Sequence, residues 1–184
     1  MPNWCCNRLV IKGDQEVVLA LVVRVKEHTD ALDFGKIIPM PAALRNTSSP
    51  NKQSQASALQ KEFGHSDWYS WSVAFWGTTW NAGSSTVFTE MESGLQVLAR
   101  ADSNKGPQAT ATFDFATAWS PPKPVIVALS EMYPNLKITH SFIEEGMAFG
   151  GIDAYFGGDL IEEATNDDIY AISDWHEQFR QEEE

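Results

Sequence analysis

Carboxylate side chains are concentrated at the C-terminal end of this chain. Residues 144 to 184 include thirteen acidic residues and one basic residue, Arg180, whereas residues 1 to 143 hold twelve of each sign. The whole formal charge of −12 therefore belongs to the last 41 residues. Such an asymmetry bears on partners and solubility rather than on the fold.

Three pairs of adjacent carboxylates occur in this acidic region, at Glu144-Glu145, Glu162-Glu163 and Asp167-Asp168. Paired carboxylates can imitate the phosphates of a nucleic acid and attract a basic protein surface, in an encounter that salt weakens. The alternative is a solvated tail that keeps the protein soluble. We expect these six residues to form a partner-binding surface for a basic host protein.

Tryptophan residues define a second candidate site. Trp76, Trp80 and Asn81 lie in one short segment, and Trp119 lies in another. An aromatic pocket with a few polar groups is the usual composition of a small-molecule site. These four residues therefore support an alternative function, that of a small-ligand binder or an enzyme with a tryptophan-lined pocket.

No catalytic constellation is recognisable in the sequence. There is no G-x-S-x-G nucleophile elbow, and the four histidines are scattered without ligand-like spacing. Residues 159 to 168 hold several oxygen ligands but lack the tight, glycine-shaped loop of a calcium site. We therefore expect no metal and no cofactor, and the sequence favours a binding protein over an enzyme.

Binding of single-stranded nucleic acid on the sheet is a third hypothesis. Phe113 and Phe115 stand two residues apart on one strand face, and a sheet can present such rings to bases. The basic and glycine residues that accompany these rings in RNA-binding sheets are missing, and residues 1 to 143 carry no surplus of Lys and Arg for phosphates. Core packing explains the two rings better.

The cysteines and the hydropathy indicate the compartment. Cys5 and Cys6 are adjacent, so they cannot link distant segments, and we expect two reduced thiols, one facing inward and one outward. The longest apolar run, residues 17 to 23, is about a third of a membrane span. No secretory signal is recognisable. We expect a soluble, cytoplasmic protein without a membrane partner.

Hydrophobic periodicity predicts the elements that position these residues. Strands are expected at 7–12, 109–116, 136–143 and 148–156, and helices at 17–28, 58–63, 68–77 and after Pro124. Residues 80–88 look extended, residues 96–101 are either a strand or a helical turn, and the polar residues 46–57 predict a mobile surface loop. Asp14 and Ser120 are the expected helix caps.

The order of these elements is that of a ferredoxin-like α+β sandwich, an antiparallel sheet with helices on one face. This domain is expected to span 1–158, with the polar loop as an insertion. An acidic helical extension is expected at 159–184, where Thr165 and Asp168 have capping-box spacing. Whether this helix packs within the chain or at an interface stays open, as does the oligomeric state.

Three short motifs resemble a known family. They are Met1-Pro-Asn-Trp-Cys5, Trp76-Gly-Thr-Thr-Trp-Asn81 and Thr117-Ala-Trp-Ser-Pro-Pro122. Together, and in this order, they are similar to the YubB ferredoxin-like domain of proteins carried by bacterial plasmids and phages, over residues 1–158. The resemblance implies the same fold and a mobile-element setting, in which an acidic protein would meet host nucleic-acid-binding defences. It supplies no catalytic residues.

Overall fold

The computed structural model describes residues 2–26, 32–52, 54–82, 95–102 and 106–166. Within them, six strands form one antiparallel sheet: β1 (Trp4–Asp14), β2 (Leu95–Asp102), β3 (Gly106–Ala118), β4 (Lys137–Glu144), β5 (Phe149–Phe156) and β6 (Asp159–Asn166). Their spatial order is β2-β3-β1-β4-β5-β6. The first four strands have the ferredoxin-like order, which confirms the predicted α+β fold, and β5 and β6 extend the sheet beyond β4.

Helices cover the face of the sheet that holds the core. They are α1 (Gln15–Val25), α2 (Ala42–Arg45), α3 (Ala56–Phe63), α4 (Trp68–Trp76) and α5 (Lys123–Met132). Helix α1 packs on β1 and β3, and α5 packs on β4 and β5. Asp14 caps α1 as predicted, because its carboxylate accepts hydrogen bonds from the backbone N–H groups of Glu16 and Val17. The helix ends at Val25, three residues before the predicted end.

Side chains along β1 and β3 alternate between the core and the opposite face. Cys5 is buried and Cys6 is half-buried, as expected for neighbouring strand residues. Phe113 and Phe115 are both buried in the core with Leu9. Because their rings are covered by other side chains, they offer no stacking platform for nucleic-acid bases.

Helix α4 contains three of the seven tryptophans of the chain. The carboxylate of Asp67 accepts a hydrogen bond from the N–H of Ser70 at 2.9 Å and so caps the first turn. Trp71 and Trp76 are buried, and Trp76 packs edge-on against Phe34 with ring centroids 5.9 Å apart. The predicted helix at 68–77 is therefore confirmed, and its inner face is part of the core.

Two local predictions need correction. Ser120 does not cap α5, because Pro121 and Pro122 follow it and the helix begins only at Lys123. The hydroxyl of Ser120 instead donates to the carbonyl oxygen of Gly77. Residues 96–101, which the sequence left open, belong to strand β2 and pair with β3.

The first acidic residues after Gly158 form a strand and not the start of a helical extension. Gly157 and Gly158 have φ angles of 64° and 88° and make a two-residue hairpin turn between β5 and β6. Pairing with β5 thus overrides local preference in this segment, and the sheet continues to Asn166. The helix predicted to open at Thr165 falls almost entirely on residues outside the described ranges.

The described residues contain no helix that is both long enough and apolar enough to cross a bilayer.

Alanine substitutions at Gly64 and Gly77 measure how closely the end of α4 packs against α5. Gly64 ends α3 and serves as the control. Both glycines end a helix, with φ angles of 74° and 76°. A methyl group at Gly64 would meet nothing within 4 Å, whereas at Gly77 it would lie 2.7 Å from Cδ of Pro124. We expect Gly64→Ala to lower the free energy of unfolding by about 1 kcal/mol, the cost of the left-handed backbone alone. Gly77→Ala should lower the free energy of unfolding by a larger amount, because its methyl group would also collide with Pro124.

Urea unfolding of the two variants measures this difference directly. Equal losses would show that Pro124 moves away from the added methyl group without a free-energy cost.

Candidate functional site

The segments that carry the three sequence motifs meet at one end of the sheet. The backbone N–H of Trp119 donates to the carbonyl oxygen of Asn3 at 2.9 Å, which joins the third motif to the first. The rings of Trp4 and Trp80 lie side by side with centroids 6.0 Å apart, which joins the first motif to the second. Motifs far apart in the sequence therefore form one structural unit.

Hydroxyl groups join the second motif to the third. Thr78 Oγ1 donates to the carbonyl oxygen of Ala118 at 2.8 Å, and Ser120 Oγ donates to the carbonyl oxygen of Gly77. Gly77 itself has no side chain to hold the segments apart, and its Cα lies against Pro124. These contacts fix the loop after α4 against the loop that leads into α5.

An open groove of about 380 Å³ lies between these two loops and the outer face of α4. This volume is within the range of small-molecule sites. None of the lining residues within the described ranges is charged; they are Tyr69, Val73, Gly77, Thr78, Thr79, Ala118, Trp119 and Ser120.

Trp119 is the most unusual residue of the groove. Its φ angle is +71°, in the left-handed region that a bulky side chain rarely occupies and that costs about 1–2 kcal/mol. Its side chain is 45% exposed. The indole N–H makes no hydrogen bond with the described part of the chain. Such strain persists only where the surroundings impose it, and it is concentrated at functional sites.

Only some of the four residues predicted to line a pocket lie at the groove. Trp119 lines the groove, and Trp80 lies next to it, 37% exposed, against Trp4. Trp76 is buried, and its indole N–H donates to the carbonyl oxygen of Ile38 at 2.9 Å. Trp76 therefore supports the groove from within the core.

Asn81 also has a structural role. Its Oδ1 accepts a hydrogen bond from the N–H of Phe34 at 2.8 Å, and its Nδ2 donates to Asp33 Oδ1 at 2.7 Å. Sequence reasoning missed Tyr69 and Val73, which line the groove from α4. Their spacing of four residues, on the side of the helix away from the buried Trp71, was the available signal.

Glu144 does not belong to an exposed acidic surface. Its side chain is buried, and its two carboxylate oxygens accept hydrogen bonds from the N–H groups of Gly146 and Met147 at 2.9 and 2.6 Å. It therefore stabilises the turn between β4 and β5, whereas its neighbour Glu145 is exposed. This corrects the expectation that Glu144 is a partner-binding residue.

The other acidic pairs are only partly described. Glu162 and Glu163 are both exposed on β6, but as successive strand residues they point to opposite faces of the sheet. Glu163 lies opposite Asp153 in the register, and its carboxylate is 3.7 Å from Lys123 Nζ. Asp167 and Asp168 lie outside the described residues.

A buried carboxylate lies on β5, and no pattern in the sequence indicated it. The Asp153 side chain is fully buried, and its Oδ2 is 2.8 Å from Lys123 Nζ. The hydroxyl of Tyr155 donates to the same oxygen at 3.2 Å. Burial and the adjacent carboxylate raise the pKa of Tyr155 well above its usual value, so this hydroxyl keeps its proton. Lys123 opens α5, so the ion pair fixes the end of the loop that carries Trp119.

His140 lies directly opposite Asp153 in the register and is also fully buried. Its Nε2 is 3.0 Å from Asn7 Oδ1, and Asn7 uses its Nδ2 to donate to Thr117 Oγ1. Because Asn7 Oδ1 can only accept, Nε2 carries the proton of the neutral ring. Burial and the ammonium of Lys123 lower the pKa of His140 to about 3. The ring is therefore neutral at pH 7.

Within the described ranges, no group of three or more His, Cys, Asp or Glu side chains is arranged to hold a metal ion.

The buried His140 makes the stability of the fold dependent on pH. Its pKa is about 3 in the folded chain against 6.5 for a free histidine, so below pH 6.5 the unfolded chain takes up a proton that the folded chain does not. The free energy of unfolding should therefore decrease as the pH falls from 6.5 towards 3. The contribution of this one group is at most about 1.4 kcal/mol per pH unit.

His140→Gln removes the titrating group and is the matched variant. Its free energy of unfolding, measured with urea at each pH, should decrease less steeply than that of the parent protein over the same window. If the free energies of unfolding of the two proteins fall in parallel with pH, His140 is not the group responsible for the pH dependence.

Two of the ion pairs described for the sheet, one buried and one half-exposed, should differ in their contribution to stability. Lys123→Met leaves the buried Asp153 carboxylate without its cation, which should lower the free energy of unfolding by about 3 kcal/mol. Arg8→Met, the control, breaks the bidentate pair with the half-exposed Asp114 and should cost less than about 1 kcal/mol. Urea unfolding at pH 7 checks both values, and a larger loss for Arg8→Met would contradict this ranking.

Comparison with known proteins gave a similar solved structure and a family model that matches part of the chain. Among curated proteins none matches its sequence. A crystal structure of a protein api92 from Yersinia pseudotuberculosis is similar at 12% identity, covering 90% of this chain and 98% of that chain, with a TM-score of 0.49. Residues 99–183 match the family model described as a ferredoxin-like domain in Api92-like protein. Residues 99–183 of this chain are thus similar to the ferredoxin-like domain of Api92-like proteins.

Proposed function

We propose that this chain is a non-enzymatic binding protein and that the groove beside Trp119 is its recognition site. The observation that carries the proposal is the conformation of Trp119, a large aromatic residue held at a φ angle of +71° with nearly half of its side chain exposed. Glycine would fit this backbone without strain. Tryptophan at this position raises the free energy of the folded state. A role in contacting a ligand explains why it is present despite this cost.

The convergence of the three motifs supports the same site. Contacts from Asn3, Thr78 and Ser120 hold the groove together, and each belongs to a different motif. The resemblance of these motifs to the YubB ferredoxin-like domain is part of the proposal, as is the mobile-element setting that it implies.

The acidic character of the chain favours a basic protein as the partner. The formal charge is −12, and Glu145, Glu162 and Glu163 are exposed. A negative field of this size accelerates the encounter with a positively charged surface, and salt screens it. In this proposal the acidic region attracts the partner, and the groove provides the specific contact.

Substitutions at Trp119 test the site. In an NMR screen with small aromatic and basic compounds, ligands that bind the parent protein should shift the indole N–H resonance of Trp119. Trp119→Ala and Trp119→Gly should lose this binding, because the ring that forms one wall of the groove is gone. Trp119→Gly should also be the more stable of the two by about 1 kcal/mol, since glycine relieves the left-handed strain.

Phe75→Ala is the matched control. Phe75 is 41% exposed on the same helix but does not line the groove, and its ring stacks on Trp71. Binding should survive this substitution. A groove that no compound perturbs, or a loss of binding in Phe75→Ala equal to that in Trp119→Ala, would contradict the proposal.

A further inference from the structure

The hydroxyl of Ser120 is placed to accept a hydrogen bond from a ligand. Ser120 is half-buried, and its hydroxyl uses its one proton to donate to the carbonyl oxygen of Gly77, so only the lone pairs of the oxygen remain available. Thr78 makes the same kind of bond to the carbonyl oxygen of Ala118 but is buried, so it supports the wall of the groove. A ligand that meets Ser120 Oγ must therefore bring a donor.

The C-terminal end of α4 adds a partial negative charge to one side of the groove. Val73 and Gly77, which line it, belong to the last turn of this helix and its cap. The last carbonyl groups of a helix lack partners within the helix and together carry about half a negative charge. The last turns of α1, α2 and α3 each contain a basic residue, whereas those of α4 and α5 contain none. A cation from outside can fill this role.

Aromatic faces make the groove more favourable for a cation. Tyr69 and Trp119 are each 45% exposed, and the face of an aromatic ring attracts a positive charge placed within about 6 Å. The described residues that line the groove include no cationic side chain that would repel such a ligand. Lys123, which follows the groove segment in the chain, already pairs with Asp153 and Glu163.

We infer that the groove binds the guanidinium group of an arginine side chain presented by a peptide segment of a basic protein. This inference rests on the proposed binding function and names its ligand. A guanidinium group is planar, stacks on tryptophan and tyrosine rings, and offers five donors to the acceptors of the groove. The indole N–H of Trp119 would donate to a backbone carbonyl of the peptide, which a free cation does not offer.

Two peptides that differ only in charge test the ligand. Acetyl-Gly-Arg-Gly-amide should bind and shift the indole N–H resonance of Trp119. The same peptide with citrulline, which has nearly the shape of arginine but no charge, should bind at least about tenfold more weakly. Raising the salt concentration should weaken only the arginine peptide.

Two variants of the protein complete the test. Trp119→Leu keeps an apolar side chain of substantial size but removes the ring face, so it should lose most of the preference for arginine over citrulline. Tyr69→Phe keeps the ring face and should retain that preference. The thermal stability of each variant, measured alongside, separates loss of binding from loss of folding.

The outcomes distinguish this inference from the function on which it rests. Equal affinity for the arginine and citrulline peptides would overturn the cation assignment, and agmatine binding as tightly as the arginine peptide would overturn the peptide assignment. If neutral aromatic compounds shift the Trp119 resonance while both peptides do not, the inference fails and the binding function stands. If no probe perturbs the groove, both fail.

Discussion

The antiparallel pairing of β1 with both of its neighbours is the interaction on which the rest of the structure depends. All eleven residues of Trp4–Asp14 are in register with β3, and eight of them are also in register with β4. This pairing places Leu9 and Ile11 under the helices and directs Asn7 towards His140. It also carries Asn3, immediately before the strand, to the backbone of Trp119. The core and the groove are therefore positioned by one strand.

Local signals in the sequence were sufficient to predict the helices and strands in which they occur. The cap at Asp14, the helical spacing within α4 and the alternation along β3 identify those elements without knowledge of their neighbours. The groove was predicted only in part, because a motif does not say which of its tryptophans turns inward, as Trp76 does. The burial of Glu144 and the strand that holds Glu163 depend on pairing with β5, and no local pattern reports such pairing.

Buried polar residues give the second half of the sheet a unique register. A shift of one residue between β4 and β5 would separate Asp153 from Lys123, and a shift between β1 and β4 would move His140 away from Asn7. Apolar side chains in these positions would tolerate such a shift more easily. These buried polar residues thus contribute to the choice of a single strand register as well as to stability. They also couple the start of α5 to the sheet, so the loop that bears Trp119 has a fixed end.

The long sequence separation between paired strands has a consequence for folding. Trp4 pairs with Ala118, and Asn7 bonds to Thr117 across 110 residues. A topology rich in such distant contacts folds slowly, because closing the large loop precedes the gain from pairing. The groove joins residues near 3, 78 and 119, so it is complete only when this late pairing has formed. A molecule bound there would select the fully folded chain and protect it from unfolding by mass action.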